Sequence, residues 1–422
     1  MVPLTEVLSY ISHYCFSGKR DLRNGHRFLV AGGGTGDAAV GLAEQLREYD
    51  SEIVYVDISQ ASMAIARERA RIRGLEDRVK WVHGSLLSVA EMGLGMFDYV
   101  NSSGVLHHLE NPQDGLNALA SVLKPDGAMG LMLYAKYGRM AVYQMQEILR
   151  LINHDTTVPQ ETVDNAKVIL NAIPNGNWFL SSPPIVMNEI ASGDAAIYDM
   201  LLHSQDRAYS IPELYEYLRA SGLDLIELYP DEFVLGKKQY DPVLYIKDAA
   251  LLEKAKRLPR EKQQQLAELL NGKICKHTFH AARKLPPLPS IADPDMVPFL
   301  NDSFITKIYE EMYALIKQSG DIVTMRPSNE NMAAMFIKTP HLETFMKYFD
   351  GKRSMGELVQ LVQGSIVGAQ KPSYNDLVQE FSLFYQAMNQ YNWLLLRHKS
   401  IPPYTVKSEM QARVTRLYPQ GK

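Results

Sequence analysis

The stretch Phe28–Asp37, "FLVAGGGTGD", decides how the rest of the chain is read. Phe28 to Ala31 form a short apolar run of the kind that makes a buried strand. Gly32, Gly33, Gly34 and Gly36 follow, and glycine alone turns this tightly without a steric cost. The next residues, "DAAVGLAEQLREY", place Ala39, Leu42, Ala43 and Leu46 on one helical face. A helix entered through a glycine turn offers free backbone N–H groups and the positive end of its dipole. A carboxylate or phosphate is favoured there. The loop therefore reads as a cofactor loop, and its spacing admits two cofactor classes.

Working outward, strands and helices alternate. "EIVYVDIS" (52–59), "VKWVHGS" (79–85), "FDYVNSSG" (97–104) and "AMGLMLYA" (128–135) read as strands. "SMAIARERARIRG" reads as a helix stopped by Gly74, "PQDGLNALASVL" as another, and "KPDG" as a turn. Such alternation predicts a parallel sheet covered on both faces. From 137 to 206 the pattern is helical without strands, an insertion expected to cover the ligand because loops at strand carboxyl ends line such sites. "SIPELYEYLRASG" then has Ser210 as cap, Pro212 in the first turn, Glu213 completing a capping box, and Gly222 as stop. "DLIELYP" returns to strand.

These patterns divide the chain into an N-terminal helical segment (1–24), a sheet core (25–136 and 207–235), the insertion (137–206), a helical middle segment (236–284), a proline-dense linker (285–298) and a C-terminal unit (299–422). In that last unit a helix, the "DGKRS" turn, a second helix and the run "WLLLRH" suggest an α+β, winged-helix-like module.

At 422 residues, two or three domains are expected. A formal net charge of -4 gives no overall basic field, so no nucleic-acid partner is expected. The stretch from Arg397 onward is locally basic and reads as a solvated tail. Two distant cysteines, Cys15 and Cys275, fit a reducing compartment. No leader and no membrane-length apolar run is evident, so a cytoplasmic protein without membrane insertion is expected. Self-association stays open.

Spacing alone leaves the glycine loop ambiguous. Taken as a dinucleotide loop from Gly32 and Gly34, it puts Asp37 where a third glycine belongs, and that carboxylate would oppose a pyrophosphate. Counted from Gly34 and Gly36, Ala39 fits. Asp57, ending the second strand, suits a ribose in either class, because a carboxylate accepts from both hydroxyls. An NAD-dependent oxidoreductase and an S-adenosylmethionine site both remain at this point.

The order and even spacing of "FLVAGGGTGDAAVGLA", "IVYVDIS", "VKWVHGSLLSV", "FDYVNSSGVLHHLENP" and "LKPDGAMGLMLYA" resemble the class I S-adenosylmethionine-dependent methyltransferases, most of all a bacterial branch with G-V-L-H-H-L after the fourth strand. The resemblance covers about residues 25 to 136, with the sheet ending near 210 to 230. It implies a Rossmann-like α/β methyltransferase sheet and S-adenosylmethionine as cofactor. It also implies that Gly32, Gly34 and Gly36 lie under the methionine and ribose. Asp57 would hold the ribose, with Ile58 against the adenine. Ser85 and Leu86 would border the adenine, and Asn101 and Ser102 would flank the methionine end. Two positions depart from the pattern. Val30 stands where many members have an acid, and Ser85 where many have Asp. A weaker resemblance links the added domains to bacterial protein-lysine methyltransferases.

Methyl transfer from a sulfonium needs an aligned acceptor and, for a neutral nucleophile, a base. Candidates lie at strand ends. His107 and His108 follow the fourth strand, Tyr134 and Tyr137 follow the fifth, and His203, Asp206 and Arg207 precede the last helix. Of these, His108, Tyr134, Tyr137 and His203 are the catalytic candidates. Each has a plain alternative as a capping, packing or ion-pairing residue. His277 and His280 have a helical metal-pair spacing but no third ligand nearby, so no metal site is assigned. The added C-terminal unit favours a protein or peptide acceptor, lysine included. A small-molecule acceptor and a non-catalytic cofactor-binding scaffold are the alternatives.

Overall fold

The computed structural model describes residues 7–203, 205–229, 239–301, 308–325, 334–368 and 370–404. The basic tail after 404 and the first six residues lie outside them. The chain opens with α1 (Val7–Cys15). The sheet begins with β1 (Arg27–Ala31), α2 (Asp37–Gln45), β2 (Glu52–Asp57), α3 (Gln60–Arg71), β3 (Val79–His83), β4 (Phe97–Ser103), α4 (Pro112–Ser121) and β5 (Leu123–Ala135). Both faces of β1, β2 and β4 and of the second half of β5 are largely buried, which is why they read as continuous apolar runs, whereas the edge strand β3 leaves Lys80 and His83 exposed. "KPDG" lies within β5 as an irregularity: Leu123 pairs with Phe97, the register shifts, and Ala128 pairs with Tyr99.

Four helices then fill the insertion: α5 (Met140–Ile152), α6 (Pro159–Ala172), α7 (Pro184–Ile190) and the short α8 (Asp194–Ile197). They share a small core of their own around Val142, Met145, Leu149, Phe179 and Met200. The chain rejoins the sheet at β6 (Ala208–Tyr209), beside the end of β5. α9 (Ile211–Ala220) starts with the Ser210–Glu213 capping box, and β7 (Asp224–Tyr229) follows.

After α10 (Ala249–Lys256) and α11 (Arg260–Asn271) comes β8 (Lys276–Ala282). This corrects the expectation of helix up to residue 284. β8 inserts between β5 and β7 and runs antiparallel to both, giving the strand order β3-β2-β1-β4-β5-β8-β7. The core is therefore a mixed eight-stranded sheet with flanking helices. A strand also overturns the helical spacing of His277 and His280, because residues three apart on a strand point to opposite faces. His277 meets the Tyr240 hydroxyl and the Tyr209 carbonyl, whereas His280 sits beside Tyr99.

The C-terminal unit is α+β. It comprises β9 (Met296–Leu300), α12 (Ile308–Gln318), β10 (Ile322–Met325), β11 (Ala334–Ile337), α13 (Leu342–Tyr348), α14 (Met355–Ser365), α15 (Tyr374–Asn389) and β12 (Leu394–His398). β9 pairs antiparallel with β12 and begins within the stretch read as linker. Pro298 is tolerated there because the pair forms a two-stranded sheet with open edges. α1 joins this unit to the core. The His13 imidazole receives the Leu396 N–H at 2.9 Å, and the Tyr14 hydroxyl donates to Asn392. Cys15 and Cys275 are both buried and unbridged.

Candidate functional site

The strand order reverses between β1 and β4, and ligands of open α/β sheets bind outside the carboxyl ends of strands at such a point. The glycine loop lies there. Gly32, Gly34 and Gly36 all have positive φ (68°, 52° and 94°), a region side chains enter at a cost. Gly32 and Gly33 donate to the Val56 carbonyl, and the Tyr55 hydroxyl donates to the Gly34 carbonyl at 2.5 Å. A Cβ on Gly33 would strike the Tyr55 ring at 2.1 Å, and one on Gly32 would strike Val105 at 2.5 Å. At Gly34 the same atom would meet nothing within 4 Å. The loop is thus pinned on one side and open on the other.

Asp57 ends β2 and is 8% exposed. One carboxylate oxygen accepts from Gly34 N–H at 2.7 Å and the other from Ser59 N–H at 2.7 Å. Each oxygen keeps a lone pair, the complement of two vicinal ribose hydroxyls. Beside it Ile58 is 73% exposed, an apolar face next to a carboxylate. Across the site the residue order shifts from the expectation. Leu86 is only 7% exposed and packs into the core, while Leu87 is 47% exposed. The turn at 86–88 sets this orientation. Ser85 caps it, its Oγ accepting from Leu87 N–H at 3.3 Å, with its hydroxyl proton still to give. Asn101 is half-buried on β4, level with Val30 of β1. Ser102 is buried, and its Oγ has no partner among the described residues.

These features fit an adenine-ribose-methionine ligand: an open glycine cradle, a carboxylate with two spare lone pairs, two exposed apolar side chains and an unpaired hydroxyl. A dinucleotide fits less well. Asp37 occupies the first turn of α2, where a pyrophosphate would lie, and pairs there with Arg69.

At the ends of β4 and β5 a second group assembles. Arg139 Cζ lies 3.5 Å from the Tyr134 ring centroid. Tyr134 is 3.9 Å from His107, His107 is 4.3 Å from His108, and His108 is 4.1 Å from His203. The result is a column of planar groups joining sheet to insertion. Burial pushes His107 down to about 2, assisted by the adjoining His108 ring, the Arg139 guanidinium and the His203 ring. Neither of its ring nitrogens has a partner among the described residues. Burial also lowers His108, which is half-buried, and raises Tyr134. Both imidazoles are therefore neutral near pH 7.

Asp206 anchors the column. It accepts from Arg139 Nη2 at 3.1 Å, the Tyr143 hydroxyl at 3.1 Å and Gln146 Nε2 at 3.0 Å. The ion pair is nearly inaccessible, with side chains 3% and 2% exposed. Arg207 instead faces outward and gives its backbone N–H to the His107 carbonyl. Tyr137, in the turn after β5, is half-buried, and no ring contact among the described residues joins it to the column. His108, Tyr134 and His203 are thus brought together. Arg139, Tyr143 and Gln146 had no sequence signal, because their common partner lies 60 to 67 residues away.

A family model described as a methyltransferase domain matches residues 29–129. Residues 29–129 thus carry a methyltransferase domain of the class I S-adenosylmethionine-dependent kind. An uncharacterized Synechococcus protein is 32% identical over 292 residues, 66% of this chain and 65% of its own length. The tRNA 5-carboxymethoxyuridine methyltransferase of Escherichia coli is 30% identical over 112 residues, 26% of this chain and 41% of that enzyme. The chain thus spans less than two thirds of these relatives. PKMT2 from Rickettsia typhi shares the fold across 94% of this chain and 76% of its own, with a TM-score of 0.63 at 12% identity. The cofactor of this methyltransferase domain is S-adenosylmethionine.

Proposed function

We propose that this protein transfers a methyl group from S-adenosylmethionine to a nucleophilic nitrogen or oxygen on a protein or peptide side chain, lysine included. The observation that supports it is the adjacency of two groups at one sheet edge. The glycine cradle with Asp57 closes β1 and β2, and the His108–Tyr134–His203 group closes β4 and β5. Bound S-adenosylmethionine supplies an activated methyl on a sulfonium sulfur, a good leaving group. The chain's own residues do the rest. Gly34 and Asp57 fix the nucleoside, with Ile58 and Leu87 beside the adenine. Asn101 and Ser102 flank the methionine end. His108, held neutral by burial, is the base that takes the acceptor proton. Tyr134 and Tyr137 wall the cleft, and the insertion excludes water.

The protein acceptor rests on the α+β unit fused to the core through α1, a part that methyl transfer to a small molecule does not need. A small-molecule acceptor is the second reading. It is favoured by relatives such as the ubiquinone biosynthesis O-methyltransferase of Schizosaccharomyces pombe, 27% identical over 182 residues. Incubation of the protein with methyl-labelled cofactor and cell extract separates the two. Label in the protein fraction supports the first, and label confined to small molecules replaces it with the second. Calorimetry with S-adenosylmethionine and NAD tests the cofactor: tight binding of NAD alone would overturn the reading.

A further inference from the structure

Two neighbouring imidazoles are read by the two backbone groups of a single residue. The Gln205 N–H donates to His203 Nδ1 at 3.1 Å. The Gln205 carbonyl, 2.9 Å from His108 Nδ1, can only accept. His108 therefore has its proton on Nδ1 and a lone pair on Nε2. His203, accepting at Nδ1, has the reverse: a lone pair on Nδ1 and N–H at Nε2. The rings are 4.1 Å apart, so opposite tautomers stand side by side on the half-buried, outward end of the column. One nitrogen accepts and its neighbour donates.

We propose that this pair selects a hydroxyl as the methyl acceptor, an alcohol or phenol, with His108 Nε2 as its base and His203 Nε2–H as its oxyanion donor. The inference rests on the methyl-transfer reading above. A hydroxyl is both donor and acceptor and satisfies both nitrogens at once. An amine reacts as the neutral form, whose single lone pair must face the methyl carbon; it satisfies His108 as a donor and leaves the His203 N–H without an acceptor, whereas a hydroxyl oxygen has a second lone pair for it. In the step, the acceptor O–H gives its proton to His108 Nε2 while the oxygen forms the new bond to the methyl carbon. The carbon–sulfur bond breaks with its electron pair going to sulfur, and His108 then releases the proton to solvent. His203 donates to the oxygen as negative charge builds on it.

The first test needs no acceptor. ¹⁵N-histidine labelling of the whole protein, with peaks assigned by their loss in His108→Ala and His203→Ala, reads each tautomer directly. Protonated Nδ1 at His108 with protonated Nε2 at His203 supports the proposal, and one shared tautomer overturns it. Extract labelling supplies the second. An O-methyl ether, on peptide or small molecule, supports the hydroxyl assignment. A methylated nitrogen overturns it while leaving methyl transfer standing. No label in any fraction overturns both. With the labelled acceptor in hand, His108→Gln should lower turnover about 100-fold or more with cofactor affinity unchanged. His203→Gln, which keeps an N–H donor, should hold turnover within about tenfold, against a loss of about 100-fold in His203→Ala. Equal losses in the two His203 variants would remove the donor role.

Discussion

Mild acid should cost this fold stability through His107. Its imidazole is 1% exposed, lies between Tyr134 and His108, and has no hydrogen-bond partner among the described residues. Burial holds it neutral down to about pH 2, against an ordinary value of 6.5. In the unfolded chain the same ring takes up a proton below pH 6.5. Stability is therefore full above that value and falls as pH drops through the window between the two. Each pH unit there costs about 1.4 kcal/mol per site, so going to pH 5 costs about 2 kcal/mol. His280, lowered by burial to about 4, adds a similar loss over the same interval. The perturbation that isolates His107 is His107→Phe, which keeps a ring against Tyr134 and removes the titration. Urea unfolding of both proteins at pH 7 and pH 5 gives the measurement. The wild type should lose about 2 kcal/mol more than the variant on acidification. Equal losses would mean that His107 is charged or partnered in the fold, and the stated cause would be wrong.

Asp57→Ala removes the acceptor of two ribose hydroxyls, so calorimetry should show cofactor affinity reduced by about 30- to 1000-fold; an unchanged affinity removes Asp57 from the site. Gly34→Ala should stay folded, within about 2 kcal/mol of wild type, yet bind cofactor poorly, because its methyl enters the open side of the loop. Gly36→Ala should instead lower the melting temperature, since its Cβ would sit 2.7 Å from the Ala66 Cβ. A Gly34→Ala variant that binds normally would show the open side to be irrelevant. Asp206→Asn leaves the Arg139 charge buried and unneutralised, at a cost of about 3–5 kcal/mol read by thermal melting. An unshifted melt would show that water already reaches Arg139.

Local chemistry was legible in the sequence where it is repeated by its neighbours. β1 to β5 are short apolar runs separated by turn residues, and the Ser210–Glu213 box sits where its spacing places it. β8 was not legible. "KHTFHAA" has both faces buried, so it lacks the alternation that marks a half-exposed strand, and its two histidines mimic a helical spacing. β9 was hidden by Pro298 inside a proline-dense stretch. At the candidate site, the glycines and Asp57 announced themselves because backbone conformation and one carboxylate suffice. Whether Leu86 or Leu87 faces outward depends on a single turn, below the resolution of pattern. The Arg139–Asp206 pair and the His108–Gln205 contact exist only because the insertion folds back onto β5. No local window contains both partners.

The place of α1 has a consequence for how the chain matures. His13 accepts the Leu396 N–H, 383 residues later, and β8 enters the sheet between two strands already made. During synthesis the first helix must wait for nearly the whole chain before its packing closes. Contacts of such long sequence separation form late and slow folding. Closure of the ends is therefore a final step. A chain that stalls or is cut before β12 would leave the buried face of α1 without its last neighbour, and such exposed apolar surface is what quality-control chaperones and proteases bind.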